Sequence, residues 1–330
     1  MKLCEITIKP KSAFGTPLKG DTLFGQFCWQ AVYDADLLTG GLEKRLSEYH
    51  ENPFAIFSSA VLKLSSGEYV LKRPDMPLTR LFDIADQECH EFLKQKKEKK
   101  KQKWMIADKS LSIDLAQAEY QTDKELFKRM SLKDDSHSFI IPFSQQHNTI
   151  NRLTQTTGKD AFAPYTQEIF YYPPDVSLAI FVLIDESVIT IENMKKALSD
   201  MGKCGYGKDA SIGMGRFDVE KCQVLTLPNM TETTACYTLA PCVPQKNVFS
   251  ESWFTPFVRY GKHGDKLATS RNPFKNPVIM ADEGAVFKAD KEADIWKKPY
   301  IGCAIRKVSL TEKEAVVQGY APYLPIKLKD

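Results

Sequence analysis

The chain has 330 residues, 43% of them hydrophobic and 26% charged, with a mean hydropathy of −0.33. That composition belongs to an ordinary soluble globular protein with material for one large core or two modest ones, two being the better expectation. A net charge of +3 and a pI of about 8.3 fall short of a dedicated basic nucleic-acid domain, so any nucleic-acid binding must come from local patches. The eight cysteines are scattered without a Cys-x-x-Cys pair, which argues against zinc. Met1 to Ile6 turns polar at once and no apolar run reaches membrane-spanning length, as expected of a cytoplasmic chain with reduced thiols and no membrane contact.

In chain order, Lys2 to Lys9 alternates Leu3, Glu5 and Thr7 with Cys4, Ile6 and Ile8 and ends at Pro10, the pattern of a strand. After a loop over Ser12 to Gly20, the segment Asp21 to Asp34 spaces Leu23, Phe24, Phe27, Cys28, Ala31 and Val32 for a helix, with Asp21 as its N-cap. Gly41 to Tyr49 reads as a short helix. Ala55 to Leu64 reads as a strand that Glu68 to Leu71 pairs with across the Ser65-Ser66-Gly67 turn. Within an insertion over about 83–135, Lys94 to Lys103 holds seven lysines and one glutamate, a local +6 that leaves −3 on the rest of the chain; a solvated helix or mobile insertion is the plain reading and RNA contact the other.

A second unit is expected to open near Ile140, dividing the chain into 1–139 and 140–330. Ser177 to Asp185 is a continuous apolar run, the mark of a buried central strand. Thr190 is placed to cap a helix bearing Ile191, Met194, Leu198 and Met201, which stops at Gly202. A glycine-dense basic loop follows, and Gly213 to Val224 reads as a strand with Phe217 and Val219 facing inward. The C-terminal third is proline-rich, with strand-like pieces at 278–280, 285–287, 300–308 and 316–317.

Five of the 17 glycines lie between Gly202 and Phe217, together with Lys203, Lys208 and Arg216. Glycine admits positive φ and close backbone approach, so such a loop suits a phosphate-bearing ligand. Asp209 stands where a P-loop needs Ser or Thr, and the helix-loop-strand order is the reverse of a dinucleotide fingerprint. A connection without any ligand is the plain alternative.

Four segments together resemble the RAMP superfamily of CRISPR proteins, and within it the fourth-Csm-subunit group (a Cas-five-like group) of type III-A complexes. They are Phe14-Gly-Thr-Pro-Leu-Lys-Gly-Asp-Thr-Leu-Phe-Gly25, His147-Asn-Thr-Ile-Asn-Arg152, Gly205-Tyr-Gly-Lys-Asp-Ala-Ser-Ile-Gly-Met-Gly-Arg-Phe217 and Gln318-Gly-Tyr-Ala-Pro-Tyr-Leu-Pro-Ile326. The glycine loop alone indicates the superfamily; the first and last segments narrow it. The resemblance implies an α+β fold of two ferredoxin-like (RRM-like) units with inserted segments and no catalytic role. It further implies a hetero-oligomeric ribonucleoprotein in which this subunit caps the foot and holds the crRNA 5′ handle. There it would contact the large Csm subunit and the backbone Csm subunits, and place a thumb hairpin near the crRNA–target RNA duplex. No cofactor or metal is implied.

Single-stranded RNA held in one conformation needs backbone N–H, Lys and Arg on its phosphates and flat side chains under its bases. The glycine loop offers Gly205, Gly207, Lys208, Ser211, Gly213 and Arg216, with Tyr206 as a stacking platform or a buried tyrosine. The first loop offers Thr16, Lys19 and Thr22 at a helix start, where free N–H groups favour anions; simple capping competes for Thr22. His147, Asn148 and Arg152 offer a phosphate or base-edge clasp, against an ordinary Arg–carboxylate pair. Leu153 to Tyr171, with Lys159 at a turn, is the candidate thumb hairpin. Two other functions stay open: a metal-independent crRNA-processing endoribonuclease, for which His147 is the one histidine in a matching segment, and a stand-alone RNA-binding protein.

Overall fold

A computed structural model describes residues 1–83, 89–130, 140–229 and 233–329. In chain order its elements are β1 (Lys2–Pro10), α1 (Gly20–Tyr33), α2 (Leu42–Glu48), β2 (Ala55–Phe57), β3 (Val61–Lys63), β4 (Tyr69–Lys72), α3 (Leu78–Leu81), α4 (Cys89–Lys101), β5 (Trp104–Ala107), β6 (Ile113–Asp114), β7 (Glu119–Gln121), α5 (Asp123–Arg129), β8 (Ile141–His147), β9 (Tyr165–Tyr171), β10 (Ser177–Ile184), α6 (Ile191–Cys204) and β11 (Phe217–Leu225). The last third adds β12 (Ala235–Thr238), β13 (Glu251–Trp253), β14 (Pro256–Arg259), β15 (Val278–Ala281), β16 (Val286–Lys288), β17 (Tyr300–Gly302) and β18 (Tyr320–Lys327). This is an α+β protein with antiparallel sheets.

The larger sheet runs β11-β1-β10-β3-β4-β5-β7, with β2 also on β10. β1 lies between two strands far away in sequence: Ile6 faces Ile180 on one side and Cys222 on the other. The expected boundary at 139/140 therefore passes through this sheet rather than between two folded units. The alternation read in β1 decides its two faces. Cys4, Ile6 and Ile8 are fully buried on the face that carries α1 and α6, where Phe24 and Phe27 of α1 meet Phe54 and Phe57. Each such ring is worth about 1.5–3 kcal/mol of burial. α6 begins as expected, with Thr190 accepting from the Asn193 amide, and buries Met194, Leu198 and Met201. β3 and β4 pair across the expected turn.

On the opposite face Glu5 is fully buried. Its carboxylate accepts from Lys63 Nζ, from Thr7 Oγ1 at 2.9 Å, from Tyr69 Oη at 2.8 Å and from Gln223 Nε2 at 2.8 Å, so it ties β1 to β3, β4 and β11.

The smaller sheet, β13-β16-β12-β18-β17 with β6 parallel to β18, carries no α-helix from its own C-terminal segment among the described residues. Gln318 joins it to the first: its side chain, fully buried, accepts from the Phe57 amide at 2.9 Å and donates to the carbonyls of Phe57 at 2.8 Å and Tyr320 at 3.1 Å. Lys94 to Lys101 is helical, as part of α4. No helix among the described residues is long and apolar enough to cross a membrane.

Burial pushes the Glu5 carboxyl up, but its four donors outweigh that and hold it below the ordinary carboxylate range. A depressed folded-state value stabilises the fold above the unfolded pKa, and that stability is lost as pH falls through the folded one. Glu5→Gln should cost about 3 kcal/mol at neutral pH by leaving Lys63 facing a neutral group, and should flatten the acid limb of stability against pH. Urea unfolding from neutral pH down through the carboxylate range checks both; an unchanged acid limb would show that Glu5 does not carry it.

Candidate nucleic-acid interface

The register of the larger sheet assembles the site. Pro10 at the end of β1 sits opposite Phe217 at the start of β11, and Ile8 opposite Leu178 near the start of β10. The loop leaving β1, the glycine loop entering β11 and the β8–β9 hairpin preceding β10 therefore emerge together. The Lys11 amide donates to the Arg216 carbonyl at 2.8 Å, the Gly215 amide to Ala13 O at 2.7 Å and the Arg216 amide to Ser12 Oγ at 2.9 Å. The Lys208 amide donates to Thr16 Oγ1 at 3.0 Å. On the other flank Phe14 and Phe170 exchange backbone bonds at 2.8 and 2.9 Å, and Gln167 Nε2 donates to the Asp209 carboxylate.

The glycines permit this closeness. Gly215 has φ +71°, and a Cβ there would stand 2.1 Å from Tyr206 O; at Gly207, with φ +74°, it would stand 2.6 Å from Thr16 Cβ. Gly213 also has positive φ, but open space lies around it. Asp209 takes φ +62° without being glycine, held by Gln167. A loop of this shape directs backbone and short side chains outward while its inner wall is welded to Ser12–Thr16.

Several expected contact residues face inward. Tyr206 is 1% exposed, donates to Pro17 O at 3.0 Å and lies 2.5 Å from Thr22 Oγ1, so it is the buried tyrosine and not a stacking platform. Thr22 Oγ1 also donates to Lys19 O at 2.8 Å. Lys19 occupies the N-cap position of α1, which Asp21 was expected to fill, and makes no side-chain cap. Its ammonium is 2.5 Å from Asp282 and 2.8 Å from Glu283 and lies over the Phe257 ring. Burial opposes the Lys19 charge, but Glu283 and Asp282 outweigh it and raise its pKa. Asp21 is buried and paired through both oxygens to Arg259, at 2.5 and 2.9 Å. A carboxylate thus already lies in the first turn of α1, where its charge complements the positive end of the helix.

The outward set is smaller. Lys208, Ser211 and Arg216 are exposed and Gly207 presents backbone; Gly213 is half-buried with its amide donated to Ala210 O at 3.0 Å, and Gly205 is buried. Nearby, Lys9 pairs with Asp175 and Lys11 with Asp218. Among the described residues Lys208 and Arg216 have no such partner. They are the positive charge left available at this end of the sheet.

The hairpin begins earlier than Leu153: β8 pairs with β9 from Ile141↔Tyr171 to His147↔Tyr165, and 148–164 is its connecting loop. His147 stacks on Tyr165 with centroids 5.3 Å apart and planes at 11°, and its buried Nε2 has no partner among the described residues. Asn148, Arg152 and Lys159 are exposed in the loop, and the described residues give no hydrogen bond or ion pair between them and the glycine loop. Of the other histidines, His263 is buried with Nε2 2.7 Å from Ser309 Oγ, and His137 lies outside the described residues. Among the described residues no cluster of three or more His, Cys, Asp or Glu could hold a metal ion. Gln167, Asp209 and Arg259 were missed from the sequence. Each acts through a partner 42 or 238 residues away, and no local pattern marks such pairs.

No protein-family profile and no curated protein matches the chain. Solved structures do match over its whole length. One is a chain of the Csm3–Csm4 subcomplex of the type III-A CRISPR-Cas interference complex, 14% identical, covering 99% of this chain and 100% of that one with a TM-score of 0.58. Chains of the Csm1–Csm4 cassette match too: with cA4 bound, 15% identity, 99% of each chain and TM-score 0.57; with pppApA bound, 15% identity, 100% of each chain and TM-score 0.53. The component these assemblies share is Csm4. The chain therefore has a Csm4-like fold, in agreement with the resemblance read from its four segments.

Gly215→Ala should cost about 3 kcal/mol, from strain at positive φ together with the clash on Tyr206 O. Gly213→Ala, with the same backbone sign but open space, should cost about 1 kcal/mol. Urea midpoints of the two variants give the comparison; equal losses would contradict the described packing of the loop.

Proposed function

We propose that this chain is a non-catalytic RNA-binding subunit of a type III-A CRISPR (Csm) interference complex, holding the 5′ handle of the crRNA. In that reading it contacts the large Csm subunit and the backbone Csm subunits, and its β8–β9 hairpin stands as a thumb near the crRNA–target RNA duplex. The carrying observation is the glycine loop: a positive-φ turn fixed against Ser12–Thr16, with Lys208 and Arg216 exposed and, among the described residues, without carboxylate partners at an end of the sheet where three loops meet. Backbone N–H groups and two mobile cations suit a bent phosphodiester chain. The Csm4-like fold over the full length supports the assignment.

We infer that the fold comprises two ferredoxin-like units. β1, α1 and β3 followed by β10, α6 and β11, with strands ordered β11-β1-β10-β3, form one ferredoxin-like unit interrupted by an insertion, in place of one confined to 1–139. The smaller sheet is the second unit, reduced in its helices. Lys19, Thr22 and Tyr206 support the loop from behind, whereas Thr16, Gly207, Lys208, Ser211, Gly213 and Arg216 line the RNA side; His147, Asn148, Arg152 and Lys159 belong to the thumb.

Replacing Lys208 and Arg216 together by Ala should leave the urea midpoint within about 0.5 kcal/mol of the parent. It should make the salt dependence of handle-RNA binding shallower by about 1.4 in log K against log salt, the share of two contacts to a single strand. Fluorescence anisotropy on the purified chain measures both affinity and slope. An unchanged slope would remove the loop from the RNA path. Cleavage of repeat RNA in EDTA that is lost in His147→Ala would replace this reading with the endoribonuclease one.

A further inference from the structure

The largest unbalanced charge lies away from the glycine loop, on α4. At 100° per residue Lys94, Lys97 and Lys101 fall within roughly 60° of one another, and Lys96 and Lys100 widen the face to roughly 160°; all five are exposed. Lys99 turns to the other side and lies 5.0 Å from the centre of the Phe82 ring. Several other lysines find carboxylates: Lys2 with Glu186, Lys63 with Glu5, Lys72 with Asp75, Lys103 with Asp123. Among the described residues these five have none, and Glu98 between them forms no ion pair.

The face is held firmly. Arg73, from the end of β4, donates through Nη1 to the carbonyls of Lys99 at 3.0 Å and Gln102 at 2.8 Å and so closes the last turn of α4. β5 follows within three residues and pairs with β4. A guanidinium at the helix end beside five ammonium groups without carboxylate partners among the described residues, Lys96 lying over the Phe92 ring at 5.8 Å, is a self-repelling arrangement that a polyanion relieves. The remainder of the chain sums to −3, so attraction for a polyanion is concentrated here.

We propose that the Lys94–Lys101 face of α4 grips the phosphate backbone of a nucleic-acid duplex without reading its bases. Single strands are bound with the help of stacking platforms, and this face has none: Phe92 is half-buried, and the exposed large apolar side chain is Leu93. A duplex needs only charge at the correct spacing. The five ammonium groups cover about 10.5 Å of helix axis, a length in which a duplex carries about six phosphates. This inference does not rest on the RNA role of the glycine loop.

The test titrates the full chain with a duplex of about 20 base pairs while salt is varied between about 50 and 200 mM. The variant Lys94→Gln, Lys96→Gln, Lys97→Gln, Lys100→Gln, Lys101→Gln keeps helix propensity nearly constant, and circular dichroism verifies its fold. Expected is a salt slope shallower by about 4.5 than that of the parent, while arginine at the same five positions restores it. The arginine set keeps the test decisive if the glutamine variant fails to fold, since a slope lost with charge retained would overturn the proposal. So would an unchanged slope in the glutamine variant, poly-glutamate competing as well as the duplex (an acidic protein partner), or a uridine-rich single strand binding as tightly.

Discussion

The structure depends on β1 being the inner strand between β10 and β11. That pairing joins residues some 180 and 220 positions apart, from Leu3↔Leu183 to Leu3↔Leu225, and closes the sheet over everything inserted between. It also sets register, because a one-residue slip would exchange the Cys4, Ile6 and Ile8 face with the Glu5 and Thr7 face. The first face packs two helices; the second holds a carboxylate that is stable only with its four donors. A slipped β1 would bury Glu5 among phenylalanines and set apolar side chains against Lys63 and the Tyr69 hydroxyl, which would lose their carboxylate. Both penalties act against the same error, so the ends of β1, β10 and β11 are fixed relative to one another, and with them the three loops of the candidate site.

Charge accounting then separates scaffold from surface. Near the glycine loop, Lys9, Lys11, Lys19 and Arg259 are each matched by carboxylates. The two inner pairs, Lys19 with Asp282 and Glu283 and Arg259 with Asp21, lock the start of α1 to β14–β15 and the turn after them. Lys208 and Arg216 stand on a rigid loop outside that network. A binding loop benefits from this division: the backbone is organised before the ligand arrives, so less ordering entropy opposes binding.

The sequence carried the local structure well, because the relevant forces are local. The apolar run of β10, the Thr190 cap and apolar stripe of α6, and the Ser65-Ser66-Gly67 turn between β3 and β4 each follow from neighbours in the chain. The division of the chain did not follow, since nothing in Lys2–Pro10 states that its partners lie beyond residue 176. The same limit explains the individual residues. Asp21 has the composition of a cap, yet Arg259, 238 residues away, claims it. Lys19 and Tyr206 have the composition of RNA contacts, yet Asp282, Glu283, Pro17 and Thr22 occupy them. Lys208, Ser211 and Arg216 face solvent as expected because positive-φ glycines on both sides force the loop outward, a property glycine spacing does encode.

The hairpin shows the intermediate case. Its second strand was within the segment expected for it, but β8, with Ile141 and Phe143 beside Pro142 ahead of the polar Ser144 to His147, has too weak an alternation to be read without β9 beside it. Its attachment through Phe14 and Phe170 brings a stacked His147–Tyr165 pair to the same side of the molecule as the glycine loop.

Ultraviolet cross-linking of the proposed ribonucleoprotein, isolated with this chain as bait, followed by mass spectrometry of the cross-linked peptides, tests the account most directly. Cross-links are expected in the peptide that contains Lys208 to Arg216 and in the β8–β9 hairpin. A complex whose RNA cross-links to other segments, with none in 205–216, would contradict the assignment of the glycine loop as the RNA-bearing edge of this fold.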